Sequence, residues 1–461
     1  MNIAVLSGSP KGDLSVSLQS VRFLEKLFPL HSFTFSHIGQ GINGLENNAE
    51  KRAELAETVK NSDLVLFCLP VYAFTVPSQV KRFIELLFKD ELGKSFHGKY
   101  AGVLTTSIHF FDHLAHSYLR AVLEDLGMAF AGAYSADSYD LLDKKEQDRL
   151  KLFAEDLFRT VELKRPVSRA FYPLYPQSFS YEPGPSPKAL ESGGKKVLIV
   201  QDKNYEGSNL GKMIARFAAG IKGAETLVLE SISMAGPCLG CVQCGFDHQC
   251  VYTGKDDFIA TYEEKIKSAD ILVFAMAVED RLFSSTWKVF MDRGFYNTHT
   301  PSLVNKQMAY LVSGPFSQIG FFREMLTAFT EWQGANLVDF ITDEAGDSAA
   351  LDAQIDTLAQ RVLEAFENNY IGPASFLGKA GMKIFRDDVF GRHRFVFQAD
   401  HAWFEANGIY DFPQDDQRAM ETNAFMFEVM KDPATKETIR KMLKREMVKP
   451  HQKLVEKTGK S

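Results

Sequence analysis

The chain is predicted to be an α/β protein built from two doubly wound parallel-sheet units in tandem, followed by a mainly helical extension. Three observations carry this. Its 461 residues exceed what one hydrophobic core supports. Short buried strands alternate with amphipathic helices, the pattern of a parallel sheet covered on both faces. The order of strands, loops and helices then occurs a second time, as an internal repeat.

In the first unit, MNIAVLSGS is a continuous β-branched and apolar run ending in a Gly/Ser/Pro turn, and so reads as a buried strand. Ser15 and Ser17 stand where the N-cap of a helix is expected, before apolar residues at helical spacing, Leu18, Val21, Leu24 and Leu27. NSDLVLFCLPVY supplies a second strand and KYAGVLTTS a third. The Pro-rich stretch 165–194 separates the copies. Beyond it KKVLIVQDKNYEGSN repeats strand, loop and helix start, and KSADILVFAMAVEDRLFSSTWKVFMDR aligns with KNSDLVLFCLPVYAFTVPSQVKRFIEL. The resulting domains are 1–164, a linker at 165–194, 195–370, and an extension at 371–461. The extension shows no catalytic spacing. His393 and His401 read there as hydrogen-bonded or surface histidines.

Composition narrows the function. A net charge of −7 argues against nucleic acid as a partner, although the segment from Arg440 to Lys460 is locally basic and reads as a solvated helix. No run reaches the roughly 18 uncharged apolar residues a membrane helix needs. The N-terminus enters a strand with no basic leader, so a reducing cytoplasm is expected. Of five cysteines, Cys68 lies in the apolar run LVLFCLP and reads as core. The other four, Cys238, Cys241, Cys244 and Cys250, fall in CLGCVQCGFDHQC, an insertion confined to the second copy. In that compartment metal ligation or redox chemistry is expected before a disulfide framework.

Ligands of doubly wound sheets bind outside the carboxyl ends of the strands, which singles out three loops. SGSPKGDLSVS offers Ser9, Lys11, Ser15 and Ser17 before a helix N-terminus, a setting for phosphate. The P-loop order and the G-x-G-x-x-G fingerprint are both absent. LPVYAFTVPSQ presents Pro70, Val71, Tyr72 and Phe74, suited to a flat ring, and TTSIHFF adds Thr106 and Ser107. In the second copy Glu279 and Asp280 occupy the aromatic turn and would repel a phosphate or an electron-rich ring.

GSPKG, PVYAFTVPSQVKRFIE and the cysteine group followed by DDFIATYEEKIKSADILVF together resemble the NADPH-dependent FMN reductase and iron-sulfur flavoprotein families. The resemblance implies two flavodoxin-like domains. It also implies FMN with its phosphate near Ser9, Lys11, Ser15 and Ser17 and its ring near Pro70, Val71, Tyr72, Phe74, Thr106 and Ser107. NAD(P)H would be the electron donor, with the redox chemistry belonging to the cofactor and no catalytic side chain required. The family's arginine in the first loop is Lys11 here, and its Gly-Asn-Thr element reads LSVS.

For the four cysteines three readings stay open. Zinc usually takes two separated pairs of ligands, and four thiols so close together make tetrahedral closure awkward. A disulfide or bare redox thiol pair is the second. The third is a [4Fe-4S] cluster, whose corners suit a Cys-x2-Cys-x2-Cys start, with His248 as an alternative ligand or a solvated turn residue. The expected protein is a flavin-dependent NAD(P)H oxidoreductase passing electrons from FMN in the first copy to a cluster facing it in the second, and on to an unknown acceptor. An electron carrier without its own substrate, an FMN or quinone reductase with zinc or no metal at the cysteines, and a binding protein with decayed sites are the alternatives. Association into a homo-oligomer is open.

Overall fold

The computed structural model describes residues 1–297, 299–411 and 416–458. The chain forms two compact units, Met1–Trp403 and Phe404–Ser461. The larger contains both repeats. In the first, β1 (Asn2–Ser7), β2 (Ser32–His37), β3 (Leu64–Pro70), β4 (Tyr100–Ser107) and β5 (Ala129–Asp137) form one sheet in the order β2-β1-β3-β4-β5. Every pair is parallel, with Val5 beside Leu66 and Leu66 beside Gly102. Helices α1 (Val16–Leu27), α2 (Ile42–Asn47), α3 (Ala49–Lys60), α4 (Ser78–Lys89), α5 (Asp112–Asp125) and α6 (Lys144–Glu162) connect and cover it.

The second repeat has the same topology. β6 (Val197–Gln201), α7 (Asn209–Gly220), β7 (Glu225–Val228), α8 (Phe258–Thr261), β8 (Ile271–Ala277), α9 (Ser285–Gly294), β9 (Gln307–Ser313), α10 (Gly320–Trp332), β10 (Asn336–Thr342) and α11 (Ser348–Glu367) give the order β7-β6-β8-β9-β10. The two sheets are flavodoxin-like. Their central strands are wholly apolar because both faces are covered: β3 reads LVLFCLP and β8 reads ILVFAMA, each buried at every residue but the last. Cys68 is fully buried among Ile3, Val5 and Leu66, as core.

Segment 165–194 holds no strand or helix and is pinned to both repeats. The Glu124 carboxylate accepts the N–H groups of Ala170 and Phe171, and Tyr181 is completely buried in the core of the second repeat. The extension continues as α12 (Phe376–Asp388), a π-turn at Val389–His393, and α13 (Gln398–Ala406). Residues up to Trp403 belong to the unit that holds the sheets. The smaller unit carries α14 (Gln417–Val429) and α15 (Pro433–Lys457), whose residues are largely exposed. Lys460 of the basic segment lies outside the described residues. Among those described, no helix is long and apolar enough to cross a membrane.

The repeats meet through α4 and α9. The backbone N–H of Ser78, at the start of α4, donates to Asp292 of α9 at 2.7 Å. Reciprocally, the N–H of Ser285, at the start of α9, donates to Glu85 of α4 at 2.6 Å. Each helix thus receives a carboxylate from the other copy at its positive end. Each carboxylate is also paired one turn away on its own helix, Glu85 with Lys81 and Asp292 with Lys288. Both lysines are fully buried. Lys81 crosses to Asp280 at 3.0 Å, and Lys288 donates to the carbonyl of Tyr72 at 3.0 Å.

Removing one partner of a buried pair strands the other charge, at a cost of about 3 kcal/mol or more. Asp292→Ala is therefore expected to lower the melting midpoint by on the order of 6 °C. Lys144→Ala, which breaks the exposed pair with Asp148, should leave it within about 2 °C. Calorimetry of the two variants checks this, and equal midpoints would contradict it.

Candidate functional site

The α4/α9 contact sets the loops after β1, β3 and β4 against the cysteine loop of the second repeat. Between them lies a cavity of about 280 Å³. Lys11, Ser15 and Ser17 line it from the first loop, Pro70, Val71, Tyr72 and Phe74 from the second, and Thr106 and Ser107 from the third. Cys238 and Cys244 stand in the facing wall.

The first loop leaves an open helix end. Ser15 precedes α1 in extended conformation without a side-chain cap bond, and the first turn carries no acidic residue. The leading N–H groups of α1 therefore lack intrahelical partners, as an anion site requires. The Ser17 and Thr106 hydroxyls are 2.6 Å apart, tying the first loop to the third. Ser9 is placed differently from the other predicted residues. Its buried hydroxyl accepts the Lys11 N–H at 3.2 Å, which shapes the loop from behind the cavity. Burial pushes the Lys11 ammonium below its ordinary pKa, partly countered by Cys238 and Cys241. Lys11 is thus shared between the phosphate-type loop and the thiols, where sequence reasoning assigned it to the phosphate alone.

The second loop is a strained turn. Tyr72 and Thr75 exchange both backbone hydrogen bonds, at 2.8 and 3.0 Å, while Ala73 and Phe74 take φ of +38° and +71°. Left-handed values at two such residues need outside support. The Phe74 ring supplies it by packing on Phe110 and Phe111 at 5.1 and 5.0 Å. The Tyr72 hydroxyl is buried without a hydrogen-bond partner. It abuts Gly240 of the cysteine loop, where φ is +63° and a Cβ would lie 1.8 Å from the tyrosine oxygen. Only glycine fits there. Gln79 on α4 completes the seam by donating to the carbonyl of Cys238 at 2.9 Å.

The cysteine loop is anchored by Arg293, fully buried, which donates to Gly236 O at 2.8 Å and to Asp256 at 2.8 and 3.0 Å. Cys238 accepts the Gly240 N–H at 3.4 Å. Burial pushes the Cys238 and Cys244 thiols up to about 12, with the neighbouring cysteines adding to the rise. Cys241 is exposed and Cys250 half-buried. The four thiols therefore influence one another but do not close on a point: among the described residues, no three His, Cys, Asp or Glu side chains are grouped to hold a metal ion. The donor set as placed does not fit a single ion such as zinc. His248, inside the loop, faces Asp400 at 3.3 Å.

Sequence reasoning missed the third wall. Phe385 and Asp388 of α12, together with His393 and Phe397, line the cavity, as do Phe295, His299 and Trp332 from the second repeat. α12 comes this close because Gly381 lies on the rings of Phe110 and Phe111; a Cβ there would be 2.7 Å from Phe111. Arg392 latches the segment to β5 by a bidentate pair with Asp137 at 2.6 and 2.8 Å. His393, expected as a surface or structural histidine, bonds the Tyr139 hydroxyl at 3.0 Å and pairs with Asp388 while lining the cavity. The run FLGKAGMKIF signals an amphipathic helix, but no local pattern encodes what such a face covers.

The matching mouth of the second repeat is built otherwise. Ser208 caps α7, accepting the Gly211 N–H at 3.1 Å. Asp343 accepts from Ser313, Gly314 and Asn209, and Glu279 pairs with Lys203 at 3.1 Å. Arg281, at the position of Phe74, is buried against Asp125 and the carbonyl of Tyr172. Its own side chains and the linker occupy the place that is open in the first copy.

Two flavodoxin-like sheets and a cavity between them, having an open helix end on one side and an aromatic turn on the other, define a flavoprotein type of architecture. The NADPH-dependent FMN reductase family model matches residues 1–140 and 195–339, so the chain belongs to that family, twice over. It is an oxidoreductase, with FMN and a nicotinamide donor as the family's redox partners. No curated protein sequence matches the chain. Among solved structures it is similar to an NADH:FMN oxidoreductase (EMOB) in its apo form, at 17% identity over 34% of this chain and 89% of that one, TM-score 0.29. It is also similar to the NAD(P)H:(acceptor) oxidoreductase FerB of Paracoccus denitrificans, at 21% identity over 34% and 97%, TM-score 0.27. A third is an FMN-dependent NADH-azoreductase of Bacillus anthracis str. Ames Ancestor, at 15% identity over 35% and 99%, TM-score 0.27.

Thiol reactivity checks the electrostatics of the loop. In metal-free protein at pH 8, iodoacetamide is expected to label Cys241 first, Cys238 and Cys244 more slowly, and fully buried Cys68 only on unfolding, because thiols held neutral are poor nucleophiles. Peptide mass spectrometry reads the order, and early labelling of Cys238 would contradict it.

Proposed function

We propose that this chain binds one FMN in the cavity of the first repeat and uses NAD(P)H to reduce an acceptor that enters the same cavity. The open N-terminus of α1 beside Lys11, Ser15 and Ser17 carries the reading: it is an unsatisfied set of donors with a half-buried cation at the mouth of the cavity. When bound, the flavin would supply hydride acceptance and delivery. The protein's part is to hold it. Val71 is fixed to β4 by its N–H bond to the Thr106 carbonyl at 3.1 Å. That bond and the strained Tyr72–Thr75 turn give the ring a rigid edge, while Thr106 and Ser107 offer it hydroxyls. Ser9 keeps the loop in shape.

The finer reading, in which electrons leave through a [4Fe-4S] cluster on Cys238, Cys241, Cys244 and Cys250, is supported by the place of these thiols across the cavity from the flavin loops. Against it stands the ungrouped arrangement of the side chains. About four irons and four sulfides per chain in anaerobically purified protein would establish it; values near zero would leave the thiols as a metal-free wall.

The main reading is tested by flavin titration. Lys11→Ala should weaken FMN binding about tenfold, the loss of one charge-assisted contact worth roughly 1.4 kcal/mol, and wild-type protein loaded with FMN should bleach near 450 nm on adding NADPH or NADH. Protein that neither takes up FMN nor bleaches would overturn the assignment.

A further inference from the structure

Two histidines line the cavity, and they differ in what their second nitrogen does. His393 has both committed, one to Tyr139 and one to Asp388. His299 faces Asp400 with Nδ1 at 3.4 Å, and its Nε2 has no partner among the described residues. Its ring is held on three sides. Phe385 stacks on it at 4.9 Å and 22°, Phe295 lies 5.0 Å away, and Phe397 meets it edge-on at 5.1 Å. Asp400 is completely buried and has His248 on its other oxygen at 3.3 Å. Burial raises its carboxyl pKa, but His299 and His248 outweigh burial and hold it below the ordinary value. A buried carboxylate thus faces one imidazole nitrogen at ion-pair distance and leaves the other nitrogen to work in the cavity.

We propose that His299 is a catalytic proton donor to the acceptor, with Asp400 as its positioning residue. The inference rests on the flavin reading above. It applies to acceptors whose reduction consumes a proton, that is, conjugated carbonyl compounds of the quinone class. With a bound flavin supplying the hydride, the acceptor would take its proton from Nε2 of the imidazolium. Quinone, hydride and proton give hydroquinone; the Nε2–H bond breaks, an O–H bond forms, and His299 is left neutral until solvent returns a proton. Asp400 stays ionised throughout. The aromatic wall of Phe385, Trp332 and Phe110 gives such an acceptor a flat face to lie on.

The test compares two acceptors on the FMN-loaded full chain. 1,4-Benzoquinone needs the proton, whereas ferricyanide takes single electrons and needs none. His299→Gln should lower the ratio of the benzoquinone rate to the ferricyanide rate about 100-fold, the usual worth of a positioned general acid. Asp400→Asn should lower the same ratio by a smaller factor, and imidazole added to His299→Ala should restore part of it. Flavin content and bleaching by NADPH report whether each variant is folded. An unchanged ratio in a flavin-loaded His299→Gln protein would overturn the proposal, as would a wild-type protein that reduces ferricyanide but not benzoquinone. A chain that takes no FMN would instead remove the flavin reading, and this inference with it.

Discussion

Two backbone N–H groups and two carboxylates determine how everything else in this molecule is arranged. Ser78 reaches Asp292 and Ser285 reaches Glu85, so each copy caps a helix of the other with the same type of bond at the same position in the repeat. This is the self-complementary contact of a two-fold dimer, closed within one chain. Because α4 follows the aromatic turn and α9 follows its counterpart, the contact brings the mouth of the first sheet over the insertion of the second. The lysines beneath the carboxylates make the seam costly to open, since neither charge has water to turn to.

With the seam fixed, the two copies divide the work of one site. The first keeps the uncapped helix and the Tyr72–Thr75 turn. The second closes its own helix with Ser208, fills its mouth with Asp343, Glu279 and Arg281, and contributes the cysteine loop, His299 and Trp332 to its twin. Tyr72 and Gly240 mark where the halves touch, a buried hydroxyl against a backbone that admits no side chain. The extension supplies the remaining wall, latched by Arg392 and Asp137.

Most of the first repeat's contribution was legible in the sequence. Strand ends and turn chemistry are local signals, so Lys11, Ser15, Ser17, Pro70 to Phe74, Thr106 and Ser107 could be placed at one mouth from the sequence. Ser9 could not be separated from the others, because whether a loop hydroxyl faces out or back depends on one bond, here to the Lys11 N–H. The capping carboxylates lie in plain view in SQVKRFIE and STWKVFMD, yet their role needs the partner helix. The place of His299, Phe385 and His393 in the cavity wall was illegible for the same reason: it depends on residues far away in sequence, and the helical pattern of the extension names a face without naming what it covers. The cysteine spacing suggested a gathered ligand set, whereas the folded loop leaves Cys241 exposed and the other three half-buried, with no three of them grouped among the described residues.

In the function proposed above, fusing two copies has left one flavin site per chain, built by both. Saturating the purified protein with FMN, removing the excess, and measuring released flavin against protein concentration tests it most directly. One FMN per chain is the expected result; two per chain, or one that survives Lys11→Ala undiminished while a change at Ser208 abolishes it, would contradict the account.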